Sequence, residues 1–385
     1  MTANGPRTPV ERIHALDSLR GIAALTVLLG HTVTVCEWEA SYSRMPIINN
    51  LFDGRSAVTM FLVLSGFVLT YASLDNNRPL KLVSFYLRRF TRIWIPWFAV
   101  FCLSIVVKRW LFSHPVGTHP PLASNFLLLW SERNSPGDLM RQMVFILHNA
   151  HRMYIPQDWS LGVELKGSLL IPLLVIVARA RQAGGRGWAW ARMALLGLLF
   201  LWIKPDTGYY YASFAVGVAV ASISARWKIP GHGMGYVLLG YVLYQARWCS
   251  VAFLAAAALS DVEKWVWLVT TVGCGLIIYG VMKPSPLRNL LESPSLVFLG
   301  RVSYSLYLVQ VILIVCLAPW CVYGLNRLGV ESPALIQPLL LLTLAACCLA
   351  LSAVTQRWIE EPCIHLGRIL TTRIEQMPAL SRWRV

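Results

Sequence analysis

The sequence predicts an all-α polytopic membrane protein, a bundle of about ten transmembrane helices with both termini in the cytoplasm. Three observations lead to this prediction. The chain has 385 residues, of which 56% are hydrophobic and only 14% are charged, too few charges to cover the surface of a soluble protein of this size. Apolar runs of near-membrane length recur from end to end. These runs are continuous, whereas the strands of a membrane barrel would alternate apolar and polar residues.

The apolar runs divide the chain into predicted membrane spans. They cover roughly residues 17–36, 56–74, 93–112, 160–178, 190–204, 208–225, 233–247, 265–282, 302–321 and 337–355. A short re-entrant or interfacial helix is predicted at 138–148, whereas residues 249–260 are apolar but too short to cross a bilayer. Lys and Arg are concentrated in both terminal tails and in every second loop, so these segments are assigned to the cytoplasm. An even number of spans then returns the chain to the side on which it begins.

A single transmembrane domain is expected over residues 16–358, between cytoplasmic tails at 1–15 and 359–385. Residues 22–35 are apolar and follow a basic segment, as in a signal peptide. No small-x-small cleavage site follows them, and His31 interrupts the run, so we expect a retained first span. The prediction is therefore a multi-pass protein of the cytoplasmic (inner) membrane that contacts membrane lipids.

The net charge of +16 bears on the class of partner. Nucleic acid is not expected, because the basic residues lie at helix ends rather than on one soluble face. Part of the charge is the ordinary excess of Lys and Arg in cytoplasmic loops, and part could serve an anionic ligand. The nine cysteines form no Cys-x-x-Cys pair and most lie in apolar runs, so neither a disulfide framework nor a zinc site is expected.

The first candidate site is the pair Arg20 and His31 in the first span. Eleven residues correspond to about three helical turns, so both side chains project from one face, roughly 16 Å apart along the axis. The orientation places Arg20 at the cytoplasmic interface and His31 near mid-membrane, where ionisable groups are costly and are functional candidates. A neutral imidazole there can act as a general base on a hydroxyl. A hydrogen bond to a neighbouring carbonyl would also explain a lone histidine.

The second candidate site is an arginine cluster just before the third span. Arg92 lies four residues after Arg88 and three after Arg89, so it can share a helical face with either. Guanidinium groups at a helix entrance could grip phosphates bidentately. Topogenic charge beside anionic lipid would explain the cluster equally simply.

The third candidate site is Glu164, which follows Trp159 and Ser160 inside an apolar stretch. A carboxylate in such a stretch must be paired, protonated or in contact with water. A structural salt bridge is the alternative to a functional role. His148 and His151 have no acidic residues clustered near them in the sequence, so no metal site is expected.

Together these segments resemble the acyltransferase-3 family of integral membrane acyltransferases over about residues 12–365. The motifs that match, in the family's order, are Arg20-x10-His31, Phe-Leu-Val-Leu-Ser-Gly-Phe at 61–67, Arg89-x-x-Arg92, Trp159-Ser160-Leu161 with Val163-Glu164, the late-span motif at 299–308 and Glu361-Pro362. Two departures affect the acceptor side. The family commonly continues its third motif with Glu-Gln-Phe, whereas Glu164 is followed by Leu165-Lys166-Gly167. A His often ends the late motif, where this chain has Gln310.

The resemblance implies an enzyme that takes an acyl group, often acetyl, from acyl-CoA at the cytoplasmic side. It implies transfer to a hydroxyl, commonly on a glycan or lipid-linked sugar, with no permanently bound cofactor. The expected site residues are His31 and Glu164 for catalysis, Arg20, Arg88, Arg89 and Arg92 for the acyl-CoA phosphates, and Asp17, Trp159, Ser160, Tyr304 and Glu361 for acceptor binding or support. His31 would deprotonate the acceptor or activate the thioester, and Glu164 would orient His31 or bind the acceptor.

Two other classes of membrane protein share some of these features. A transporter or flippase of a glycan or acylated metabolite would also have basic inner loops and helices broken at Gly or Pro, although the two halves show no clear inverted repeat. A glycerolipid acyltransferase with a His-x4-Asp motif is excluded, because Cys36 stands five residues after His31 and no other His has Asp at that spacing.

Overall fold

The chain folds into a bundle of helices. The computed structural model describes residues 13–36, 38, 49–75, 80–112, 130, 135–143, 154–179, 196–197, 199, 208–226, 232–247 and 262–376. The α-helices are α1 His14–Val35, α2 Gly54–Asp75, α3 Leu82–Trp110, α4 Pro136–Met143, α5 Trp159–Arg179, α6 Gly208–Arg226, α7 Gly233–Tyr244, α8 Val262–Val281, α9 Pro286–Leu291, α10 Pro294–Arg327, α11 Pro333–Thr355 and α12 Glu361–Glu375. Short 3-10 turns at Asn50–Phe52 and Pro156–Asp158 and a π-helical turn at Gln356–Glu360 complete the described elements.

Eight segments of the described part are long and apolar enough to cross a membrane. The fold class, an all-α multi-pass protein, agrees with the sequence prediction, and no strand occurs among the described residues. Helix α7 has 12 residues and is apolar but shorter than a span. The span predicted near 190–204 lies almost wholly outside the described residues, as do residues 249–260. A count of ten spans and cytoplasmic termini therefore stay predictions.

Helices α1 and α10 pack backbone to backbone at two glycines. A Cβ atom on Gly21 would lie 2.5 Å from the backbone nitrogen of Gly300, so only glycine permits this approach. Near the start of α1, the Ser18 hydroxyl donates a hydrogen bond to the carbonyl of Leu291, which precedes α10. Ser18 thus contacts a residue before α10, and Gly21, further along α1, contacts a residue within α10. Helices α1 and α10 therefore run in the same direction.

Helix α2 runs antiparallel to α1. A Cβ atom on Gly30 would lie 2.5 Å from the carbonyl oxygen of Phe52, just before α2 begins. Arg20, further back along α1, shares a cavity with Phe61 and Leu62 of α2. The later residues of α2 therefore lie beside the earlier residues of α1, as in an antiparallel pair.

The third span starts earlier than the apolar pattern suggests. Helix α3 begins at Leu82 rather than near 93, so the arginine cluster lies within the helix and not before it. Apolar length marks only the segment that meets lipid, whereas the backbone hydrogen bonds extend the helix through the basic residues.

The C-terminal segment expected as a tail from residue 359 is helical to Glu375. Helix α12 packs on α3, where a Cβ atom on Gly367 would collide with Thr91. Its sequence alternates apolar and charged residues with helical spacing, which suits a helix that lies on a surface rather than one that crosses a membrane.

Candidate active site

A buried ion pair joins three of the motif-bearing helices. The Nη2 atom of Arg89, on α3, lies 2.7 Å from Oε1 of Glu164 on α5. The same guanidinium donates from Nε to the Ser168 hydroxyl at 3.0 Å, and Ser65 of α2 donates to Glu164 Oε1 at 3.0 Å. Arg89 is 7% exposed and Glu164 is 9% exposed. Glu164 and Ser168 can both reach Arg89 because residues four apart share a helix face.

Further charges surround this pair. Arg92, one turn along α3 from Arg89, is near enough to Arg20 and to the two carboxylates of Glu164 and Glu360 to interact with them electrostatically. The cluster thus contains three guanidinium groups, those of Arg20, Arg89 and Arg92, and the carboxylates of Glu164 and Glu360. The cluster has one formal positive charge in excess, so it favours an anionic ligand.

Glu360, which directly precedes the last motif, is a further acidic residue that faces the cluster. It is 5% exposed, and its Oε2 accepts a hydrogen bond from Ser305 of α10 at 2.8 Å. Glu361, which the family resemblance implied for acceptor binding or support, is exposed and accepts a hydrogen bond from Gln356 at 2.8 Å. The π-helical turn rotates the chain by one extra residue per turn, and so decides which of the two adjacent carboxylates points inward.

A cavity of about 360 Å³, its open mouth included, adjoins the cluster. Its wall consists of Arg20, Val58, Phe61, Leu62, Ser160, Leu161, Glu164, Ser303, Tyr304 and Tyr307. The Nε atom of Arg20 is buried and has no hydrogen-bond partner among the described residues. A buried guanidinium N–H on a cavity wall is therefore available to a ligand.

Hydroxyl groups form the wall opposite Arg20. The Tyr304 hydroxyl donates to the carbonyl of Ile93 on α3. The Tyr307 hydroxyl donates to the backbone carbonyl of Gln157 at 2.8 Å and lies 2.6 Å from the Ser160 hydroxyl. These bonds fix the start of α5 against α10, so that Ser160 and Tyr307 face the cavity together.

Comparison with known proteins identifies the family of the chain. The family model described as an acyltransferase domain, that of the acyltransferase-3 family, matches residues 13–354. The chain belongs to the acyltransferase-3 family. It is thus an acyltransferase.

Several curated proteins are similar to this acyltransferase. O-acetyltransferase PaAT-1 of Phomopsis amygdali is 23% identical over 360 residues, which cover 77% of this chain and 71% of that protein. Acyltransferase MdmB of Streptomyces mycarofaciens is 25% identical over 388 residues and 93% of each chain. A Staphylococcus aureus (strain COL) protein, provisionally named an O-acetyltransferase, is 26% identical over 77% of this chain and 50% of its own length. The chain therefore spans about half of that protein. No solved structure matches the chain significantly.

His31 of the acyltransferase is not part of the cavity wall. It is partly buried and follows Gly30, which packs against Phe52 at the start of α2. Glu164 instead hydrogen-bonds Ser65, eleven residues beyond Gly54, a distance of roughly 16 Å along α2. The structure therefore brings Glu164 to the arginines and not to His31. A separation of this size along α2 does not fit a role of Glu164 in orienting His31.

Arg88 of the acyltransferase lies outside the cavity, on the surface shared by α3 and α12. Its Nε donates to Thr371 at 3.3 Å, and its Nη2 lies 3.9 Å from Glu375. The same carboxylate forms an ion pair with Lys81 at 2.6 Å. Arg88 is exposed because α3 turns it about 100° away from Arg89.

The remaining predicted residues of the acyltransferase lie at three places. Ser160 and Tyr304 line the cavity, whereas the Trp159 ring packs on Tyr210 with 5.2 Å between ring centroids. Asp17 contributes its backbone to the close contact with Gly300. His148 and His151 lie outside the described residues, and no group of three potential metal ligands occurs among the residues that are described.

Proposed function

We propose that this protein is a membrane-bound O-acyltransferase that moves an acyl group, in the first instance acetyl, from acyl-CoA to a hydroxyl of a glycan or lipid-linked sugar. The buried, unpartnered Nε of Arg20 on the cavity wall is the observation that carries the proposal. Membership of an acyltransferase family favours this enzyme over the transporter. The names of PaAT-1 and the Staphylococcus aureus relative support oxygen as the accepting atom and acetyl as the group.

The donor phosphates are assigned to Arg20 and Arg92. CoA carries several phosphate charges, and guanidinium groups bind phosphate through paired, charge-assisted hydrogen bonds. The Arg89 guanidinium is already bonded to Glu164 and Ser168, so in this proposal Arg89 is a positioning residue that holds the cluster in place. Arg88, on the α12 surface, is not assigned a direct contact with the donor.

The acyl group is assigned to the depth of His31. The pantetheine arm is long and thin, and the spacing of roughly 16 Å between Arg20 and His31 along α1 suits it. His31 accepts the proton of the acceptor hydroxyl while the hydroxyl oxygen attacks the thioester carbonyl. The carbon–sulfur bond then breaks, an ester forms, and the proton leaves with the CoA thiolate. The products are the acylated acceptor and CoA thiol.

Binding of acetyl-CoA to the purified protein tests the donor assignment. The variant Arg20→Ala should bind roughly 10- to 100-fold more weakly, as expected for a lost hydrogen bond to a charged group. Arg327→Ala is the matched control, because Arg327 is exposed at the far end of α10 and should leave the affinity unchanged. An absence of binding to the wild-type protein, or equal affinities of wild type and Arg20→Ala, would reject the proposal.

A further inference from the structure

Two buried glutamines behind the cavity each have one unused hydrogen-bond acceptor. Gln157 is 2% exposed and Gln310 is 0% exposed. Gln157 Nε2 donates to the backbone carbonyls of Tyr307 and Leu308 at 3.0 and 3.1 Å, and Gln310 Nε2 donates to that of Tyr307 at 3.3 Å. These partners only accept hydrogen bonds, so the orientation of both amides is fixed. The two Oε1 atoms have no hydrogen-bond partner in the described part of the chain.

An unpartnered carbonyl in a protein interior is unfavourable and calls for an explanation. Here there are two, on amides whose nitrogens donate to the same backbone carbonyl, that of Tyr307. An acceptor oxygen needs a donor, and a neutral amide is best matched by a neutral N–H or O–H group. The pair therefore indicates a ligand that brings hydrogen-bond donors but no charge to this depth.

The glutamines lie further from the arginine cluster than the cavity wall does. On α10, Ser303, Tyr307 and Gln310 are spaced four and three residues apart, so they follow one helix face from the cavity inward. Gln157 lies in the 3-10 turn before α5, and its backbone carbonyl accepts a hydrogen bond from the Tyr307 hydroxyl. Along this face of α10, the residues of the cavity wall therefore come first and the glutamine amides follow.

The packing of α1 on α10 gives the depth of the amides. Gly21 meets Gly300, and His31 and Gln310 each follow those glycines by ten residues along parallel helices, about 15 Å in both cases. Gln310 therefore lies at the depth of His31. Gln157 and Gln310 do not belong to the cavity wall as it stands, so a ligand that reaches them has to widen the cavity past Tyr307.

We propose that the Oε1 atoms of Gln157 and Gln310 accept hydrogen bonds from the two amide N–H groups of the pantetheine arm of acyl-CoA. This inference rests on the proposed function, since it assumes that acyl-CoA is the donor. The chemistry matches in kind, and both the glutamines and the two pantetheine amides lie on the thioester side of the phosphates. Pantetheine places two neutral amides between the phosphates, assigned to Arg20 and Arg92, and the thioester, assigned to His31. A hydroxyl of the acceptor could supply the same donor chemistry, and the experiment separates the two sources.

The test compares two ligands that differ in the pantetheine arm. Acetyl-CoA contains the arm, whereas adenosine 3′,5′-bisphosphate has phosphates of the same kind without it. The variants Gln310→Met and Gln157→Met should bind acetyl-CoA roughly 3- to 10-fold more weakly, as expected for neutral hydrogen bonds, and should bind the bisphosphate as the wild type does. Gln376→Met is the matched control, since Gln376 is exposed at the end of α12, and it should change neither affinity.

Three outcomes would overturn the inference. Folded variants, with wild-type melting temperatures, that keep wild-type affinity for acetyl-CoA would exclude a pantetheine contact. A raised KM for the acceptor with an unchanged Kd for acetyl-CoA would assign the amides to the acceptor hydroxyl. Wild-type protein that binds no acetyl-CoA would reject the donor proposal itself, a failure distinguishable from the other two because it needs no variant.

A chemical substitution keeps the inference testable if a glutamine variant does not fold. An acetyl-CoA analogue with an ester in place of the cysteamine amide lacks one N–H donor. We expect wild-type protein to bind this analogue roughly 3- to 10-fold more weakly than acetyl-CoA. Equal binding of the two donors would contradict the proposal without any change to the protein.

Discussion

Arg89 on α3 and Glu164 on α5 form an ion pair, 2.7 Å between Nη2 and Oε1, in the interior of the bundle. The pair connects two sequence motifs that are 75 residues apart, and Ser65 adds a third. Charges placed in such an interior lose their hydration, and only good geometry with further hydrogen bonds compensates for that loss. Ser65 and Ser168 provide those bonds. Removal of one partner is consequently expected to destabilise the fold by more than the net contribution of the intact ion pair.

Arg89→Ala should lower the free energy of unfolding by about 3 to 5 kcal/mol, because it leaves the Glu164 carboxylate buried without its counter-charge. Thermal unfolding in detergent measures the change. Arg288→Ala is the control, since Arg288 pairs with Glu292 at 2.9 Å on a partly exposed surface and such pairs contribute little. The double variant Arg89→Ala with Glu164→Gln should recover part of the lost stability. Equal melting temperatures of Arg89→Ala and Arg288→Ala would contradict this account of the pair.

The sequence was sufficient to predict the fold class and most of the residues that gather at the cluster. Glu164 could be identified as a rare and costly charge in an apolar run, and Arg20, Arg89 and Arg92 by their spacing at the ends of predicted spans. The partners could not be assigned in the same way. Helical periodicity fixes the face of a side chain only within its own helix, whereas the pairing of Arg89 with Glu164 depends on the contact between two helices.

Two features of the site cannot be recognised from composition or hydropathy. Glu360 and Glu361 are adjacent and chemically identical, and the π-helical turn that directs Glu360 inward leaves no mark on hydropathy. The sequence suggested Glu361, whereas the structure directs Glu360 toward the cluster, and a role for Glu361 stays a prediction. Gln157 does not stand out in the sequence, and Gln310 does so only as a departure from the family's late motif, because a neutral amide beside or within an apolar run is common. Only the hydrogen bonds of the folded chain reveal that their oxygens are unused.

Gly21→Ala should be destabilising by about 1 to 3 kcal/mol, the usual cost of overpacking. The added Cβ atom would lie 2.5 Å from a backbone nitrogen of α10, and a backbone cannot rotate aside as a side chain can. The separation of α1 and α10 would also displace Arg20, the preceding residue, from the cavity. Gly324→Ala on α10 is the control, because nothing lies within 4 Å of its added Cβ, and it should be neutral or slightly stabilising. A melting temperature for Gly21→Ala at or above that of Gly324→Ala would refute the close contact.

His31→Ala should reduce acetyl transfer by about 100- to 10,000-fold, the usual contribution of a general base. Its Kd for acetyl-CoA should stay near that of the wild type, because the phosphates bind elsewhere in this proposal. Release of CoA thiol measures transfer, and a separate titration measures binding. His365→Ala, on the exposed face of α12, controls for the loss of an imidazole. Retained turnover in His31→Ala, with normal folding, would remove His31 from the mechanism.

Glu360→Gln should bind acetyl-CoA a few fold more tightly than the wild type, on the order expected for one partly screened charge. Glutamine can keep the hydrogen bond from Ser305 while it removes a negative charge near Arg20 and Arg92. The excess of positive charge at the cavity therefore rises. Titrations at low and high salt measure the effect, which should shrink as salt screens it. Glu331→Gln, at an exposed position, is the matched control and should leave the affinity unchanged. Weaker binding by Glu360→Gln would mean that the carboxylate organises the arginines more than it opposes the phosphates.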